Sequence, residues 1–170
     1  REAIHAELRI DELQRIAPFR VITTEASSKA AHLGSPDLGA RLSAQSAEWL
    51  VPERRQVQLV VSDGLSAEAV HHNMHDLLPV LMEGFAGRQW TTGQPIVVRH
   101  GRVKLAEPLA ERLGCDVIVY LIGERPGGDA LASRSLSAYL VYRLADPLVQ
   151  QAAARFSGNP AIGFEYTVIS

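Results

Sequence analysis

The sequence is poor in the features that most often announce a function. Its 170 residues contain one cysteine, Cys115, which excludes an internal disulfide and a cysteine-built zinc cage and suits a reducing compartment. Aromatic residues make up only 6% of the chain, and no lysine/arginine cluster accompanies an aromatic platform. The net charge of −2 likewise offers no basic footprint for nucleic acid. Apolar runs stop at strand length, so none reads as a membrane-spanning helix. The opening Arg1-Glu2-Ala3-Ile4-His5 has no apolar signal core. The expectation is a soluble cytoplasmic protein with no membrane or nucleic-acid partner.

Catalytic signatures are scarce too. There is no Gly-x-Ser-x-Gly elbow, and neither Cys115 nor Ser62 has an evident histidine partner. The Gly-x-Gly-x-x-Gly fingerprint follows no strand, which counts against a dinucleotide. His71 and His75 share a helix face with His72 beside them, but His72 is followed by Asn73, Met74 and His75, so His-Glu-x-x-His is absent. These histidines read as solvated or interface groups, and no metal site is expected. Cys115, just ahead of a buried strand, reads as a packed hydrophobe.

What is present is an ordinary globular composition, 46% hydrophobic and 21% charged. The length suits one domain burying about two thirds of its surface. Periodicity predicts helices over 1–16, 43–50, 66–85, 103–113 and 147–156. Strands are predicted over 19–24, 57–62, 95–99, 117–122, 135–142 and 163–169, while 25–39 reads as a polar connection. Trp49 and Trp90 are expected to be packing anchors, as are Tyr139 and Tyr142 unless they mark a partner surface. Arg1, Arg9 and Arg15 read as solvated helix charges. The chain opens inside a helical pattern and stops directly after a strand-like run, so residues are expected to be missing from one or both ends. Alternating strands and helices, with strands apolar on both faces, predict a single three-layer α/β/α domain. Its central sheet is expected to be mainly parallel, with room for an antiparallel edge.

In such a sheet, ligands gather where strands end. Three exits carry glycine and polar groups: Ser62-Asp63-Gly64-Leu65, His100-Gly101-Arg102-Val103 and Gly123-Glu124-Arg125-Pro126-Gly127. The amino end of the helix starting near Ser66 points into the same neighbourhood. The candidate rim is therefore Asp63, His100, Arg102, Glu124 and Arg125. Asp63 and Glu124 also form a weaker candidate acid/base pair.

The ordered series Val57 to Ala67, Leu77-Leu78-Pro79, Val98 to Lys104, Gly123 to Gly127 and Ser135 to Tyr139, with Pro36 to Leu42, resembles the light subunit of ethanolamine ammonia-lyase. The resemblance implies an adenosylcobalamin-dependent enzyme that converts ethanolamine to acetaldehyde and ammonia by radical chemistry. It also implies a partner, a large β/α-barrel subunit with the substrate site, and a chain inactive alone. The corrin would lie between subunits, in the cytoplasm or a bacterial microcompartment. Three light-subunit positions associated with cobalamin fall on Val103, Glu124 and Val168, the last standing where the family usually carries cysteine. Glu124 would accept N–H groups of the corrin's amide arms, and Val103 would pack on the macrocycle. Val168, the altered stretch Ser27 to Ser35, and family segments not seen before Arg1 or after Ser170 leave a rival open. That rival is a non-catalytic interaction protein of the same fold that has lost cobalamin. A stand-alone enzyme using Asp63 and Glu124 is the third reading.

Overall fold

The computed structural model describes residues 6–124, 134–144 and 163–169. The expected strands form as a six-stranded sheet: β1 (Arg20–Thr23), β2 (Val57–Ser62), β3 (Ile96–Arg99), β4 (Val117–Gly123), β5 (Leu136–Arg143) and β6 (Phe164–Ile169). Their order is β1-β3-β2-β4-β5-β6. The first four run parallel; β5 is antiparallel to both of its neighbours. The parallel part is mostly β-branched and buried, as a sheet packed on both faces requires. The antiparallel part is a pair of strands rather than a single edge.

Side chains alternate across the sheet with period two. Val60, Ile96, Val98, Ile118, Tyr120 and Ile122 join one apolar cluster with Leu105, Leu109 and Leu113. Leu59, Val61, Val97, Val119 and Leu121 join another with Leu13, Val70, Met74 and Leu78. The first cluster contains helix α5 (Ala106–Leu113), closed by Gly114 in the left-handed conformation at φ 69°. The second contains α1 (Ile10–Ile16) and α4 (Ala67–Gly87). On that side Leu77, Leu81, Phe85, Trp90, Leu140 and Ile169 line an apolar cavity of about 650 Å³. None of the described rim candidates, Asp63, His100, Arg102 and Glu124, borders it. No helix among the described residues is long and apolar enough to cross a membrane.

Several expectations need correction. Among the described residues the first helix begins at Ile10, and the Arg9 backbone N–H ahead of it donates to His71 Nε2 on α4 at 3.0 Å. Arg9 is also no free surface charge; it bridges Glu12 and Glu68, each at 2.8 Å. The 25–39 connection holds a helix, α2 (Lys29–Gly34), whose amino end is closed by the Ser28 hydroxyl accepting the Ala31 N–H. A 3-10 turn at Pro36–Ala40 follows, and then α3 (Ala44–Trp49). Trp49 and Trp90 are 62% and 45% exposed, so neither is a core anchor; Trp90 stacks on Phe85. Tyr139 packs against the α5-side cluster, whereas Tyr142 is part-exposed. Arg1 and the 147–156 helix lie outside the described residues.

Cys115 is buried as expected, and burial pushes its thiol up to about 11. Thiol titration at mildly alkaline pH should therefore leave the folded chain unlabelled and label it fully in denaturant. Rapid labelling of the native chain would contradict this packing.

Candidate functional site

Because β3, β2 and β4 are adjacent and parallel, the three expected exits do share one edge of the sheet. The exit of β2 turns inward. Asp63 is fully buried, its Oδ2 paired with Lys29 Nζ at 2.7 Å and its Oδ1 accepting the His100 N–H at 2.7 Å. Lys29 also donates to the Gly64 carbonyl at 2.8 Å. The Asp63 carboxylate thus spends both oxygens inside the protein and does not open on the rim. The amino end of α4 is closed in the same way, since the Ser66 hydroxyl accepts the Ala69 N–H.

His100 is buried as well, with φ at 58°. Its carbonyl accepts from His32 Nδ1 at 2.8 Å and Thr24 Oγ1 at 3.2 Å. Its ring donates from Nδ1 to the Ala26 carbonyl, and its Nε2 lies 3.3 Å from Glu7. Arg102 is half-buried and donates to the His32 carbonyl at 3.1 Å; burial lowers its pKa.

A second grouping lies on the α5 side. Val103 opens a 3-10 turn (Val103–Leu105) leading into α5 and packs against the adjacent cluster. Glu124 continues β4, its N–H donating to the Ser135 carbonyl at 3.0 Å. Its charge, together with burial, raises the pKa of Tyr139, with burial the larger cause. Tyr120, Tyr139 and Val168 lie in one register row across β4, β5 and β6, and residues directly opposed across a ladder share a face. Val168 is 53% exposed. Tyr166, on the same side of β6, donates to Glu107 at 2.6 Å while Lys104 sits 5.1 Å above its ring. Val103, Tyr139 and Val168 therefore share the α5 side of the sheet, and Glu124, at the carboxyl end of β4, acts electrostatically on Tyr139. Arg125 lies outside the described residues.

Sequence reasoning missed Lys29 and His32. Their spacing of three, behind a Ser28 cap, does place both on one helix face, but nothing local says that the face is buried. Of the α4 histidines expected to be solvated or at an interface, only His71 differs from expectation. His71 is buried and accepts from the Arg9 backbone, while His75 is exposed. No group of three metal-ligating residues occurs among the described residues.

Burial lowers the pKa of both His32 and His71 below the ordinary 6.5, helped by Arg102 and Arg9 respectively. As pH falls through 6.5, the unfolded chain takes up protons at these two rings that the folded chain refuses, so stability declines below that pH. Melting temperature should drop between neutral and mildly acidic pH, and His32→Gln should flatten the slope. A flat profile in the wild-type chain would contradict the neutral imidazoles.

Fold and site together define a mixed α/β domain whose strand exits are knitted by a buried polar network. Within this network the Ser62 hydroxyl is held inside the protein, facing Asp63 Oδ1 at 3.4 Å and the Gly101 carbonyl at 3.3 Å. The chain belongs to the ethanolamine ammonia-lyase light chain family, whose model matches residues 1–157. Membership makes it a lyase subunit that assembles with a large subunit. The match ends before β6, so Val168 lies beyond it.

Proposed function

We propose that this chain helps hold adenosylcobalamin against a catalytic β/α-barrel subunit in the conversion of ethanolamine to acetaldehyde and ammonia. We read it as a single three-layer α/β/α domain over residues 1–170, supported by apolar clusters on both sheet faces. In this reading it works in the cytoplasm or a bacterial microcompartment and is inactive alone.

The observation that carries the reading is that Val103, Tyr139 and Val168 lie on the α5 side while Glu124 leaves β4 within electrostatic reach of Tyr139. The donor set suits a corrin: one part-exposed carboxylate for amide N–H groups, flanked by aliphatic and aromatic surface. Val103 and Val168 pack on apolar parts of the ring, and Glu124 orients the amide arms. At position 168 an aliphatic group stands in for a thiol without adding a polar atom. Arg102 flanks this rim and His100 supports it from within; Arg125 is a further proposed contact that lies outside the described residues. When bound, the cofactor supplies the radical chemistry, and the protein supplies placement. That division explains a polar rim without a nucleophile.

The test is reconstitution with the large subunit and hydroxocobalamin, followed by the corrin absorbance band retained on gel filtration. Glu124→Ala is expected to weaken retention about tenfold, the value of one charge-assisted hydrogen bond, with assembly intact. Wild-type retention in that variant would remove Glu124 from the site. A wild-type complex that assembles but never holds the corrin would favour the non-catalytic reading.

A further inference from the structure

We propose that Lys29, Asp63 and His32 are positioning residues for the cofactor face. They lock the His100–Arg102 turn before any ligand arrives, and so fix where Val103 stands. The proposal rests on the cobalamin reading above.

Every backbone N–H from His100 to Arg102 is taken. His100 N–H goes to Asp63 and Gly101 N–H to Ser62 Oγ at 3.1 Å. The Arg102 N–H goes to the Gly39 carbonyl at 2.9 Å, and the Arg102 carbonyl accepts from Leu105 at 2.9 Å. The His100 peptide is gripped at both ends, by Asp63 on its N–H and by His32 and Thr24 on its carbonyl. At φ 58° this residue adopts a conformation that a side chain disfavours, and surroundings must hold it there. Three residues later comes Val103.

The ion pair is a poor choice if stability were its only service, because two buried charges stabilise no more than a well-packed apolar pair. What an apolar pair lacks is an acceptor aimed at the His100 amide. Lys29 spans the Asp63 carboxylate and the Gly64 carbonyl, so one ammonium ties α2 to the β2 exit, and Asp63 Oδ1 carries that tie to the β3 exit through the His100 N–H. A contact loop set in advance spares the cofactor the cost of ordering it.

The experiment compares two charge-free variants in the full complex with the large subunit. Lys29→Met/Asp63→Asn keeps an acceptor for the His100 N–H, and Lys29→Met/Asp63→Leu removes it. Hydroxocobalamin affinity should stay within about threefold of wild type in the first and fall about tenfold or more in the second. The visible circular dichroism of the bound corrin should change only in the second. Equal affinity in the two variants would overturn the proposal. Should the leucine variant fail to fold, amide exchange in the wild-type complex decides. The 100–103 backbone should already be protected without hydroxocobalamin and should change little when it binds. Protection that develops only with the corrin would refute positioning. A wild-type complex that holds no hydroxocobalamin removes the cobalamin reading itself, an outcome distinct from the variants diverging from wild type.

Discussion

Asp63→Ala is expected to lower the unfolding free energy by about 3–5 kcal/mol, the range for breaking a buried ion pair from one side. Two groups lose their partner at once. Lys29, with its side chain 5% exposed, keeps its charge with only the Gly64 carbonyl left to receive it. The His100 N–H, also buried, loses its acceptor. For a chain of this size the melting temperature should fall roughly 6–20 °C. Asp63→Asn should cost less, because the amide oxygen still serves His100, though Lys29 stays unpaired. The ordering of the two variants matters more than either value. If thermal denaturation showed alanine and asparagine equally mild, within about 1 kcal/mol of wild type, the pair would not hold the strand exits together.

The same pair marks how far the sequence could be read. The strands were legible because β-branched runs such as Val57 to Val61 and Val117 to Ile122 have few other uses, and their alternation with helices implied a parallel sheet. The common edge of three exits followed from that order. The direction of Asp63 did not. A carboxylate leaving a buried strand reads as a ligand group until its partner is known, and Lys29 lies 34 residues away in a stretch of small polar residues. Lysine is almost never fully buried, so no local pattern would seat it beneath a sheet. The early start assigned to the first helix failed for a related reason. Apolar spacing at Ile4 and Leu8 suggested a helix, but the Arg9 amide is diverted to His71, another long-range partner. The row that sets Val168 level with Tyr139 and Tyr120 was equally hidden, since it depends on the β4-β5-β6 register. What local sequence conveys is which elements form; which charges end up inside depends on contacts between elements.

Gly123→Ala separates close approach from ordinary glycine cost. A Cβ at this position would run into the Ser66 carbonyl oxygen and come within 2.7 Å of the Asp63 carbonyl oxygen. Both are backbone atoms, fixed where β2 turns into α4, and the Leu65 N–H is bonded to the Gly123 carbonyl at 2.8 Å. Neither obstacle yields by rotating a side chain. The β2 and β4 exits must part, which places the loss at the upper end of the overpacking range, about 3 kcal/mol, or roughly 6–12 °C in melting temperature. Gly84 supplies the contrast. It lies inside α4, and an added Cβ there meets nothing within 4 Å. Gly84→Ala should therefore stabilise the chain by about 0.5–1 kcal/mol through helix propensity. The same chemical change, one methyl group, is thus expected to act with opposite sign at two positions. Glu124 follows Gly123 directly, so parting the exits also displaces its carboxylate. Corrin retention by the Gly123→Ala complex should fall even at temperatures where the chain remains folded. A variant that melts like wild type would show that the exits are less tightly joined than this geometry requires.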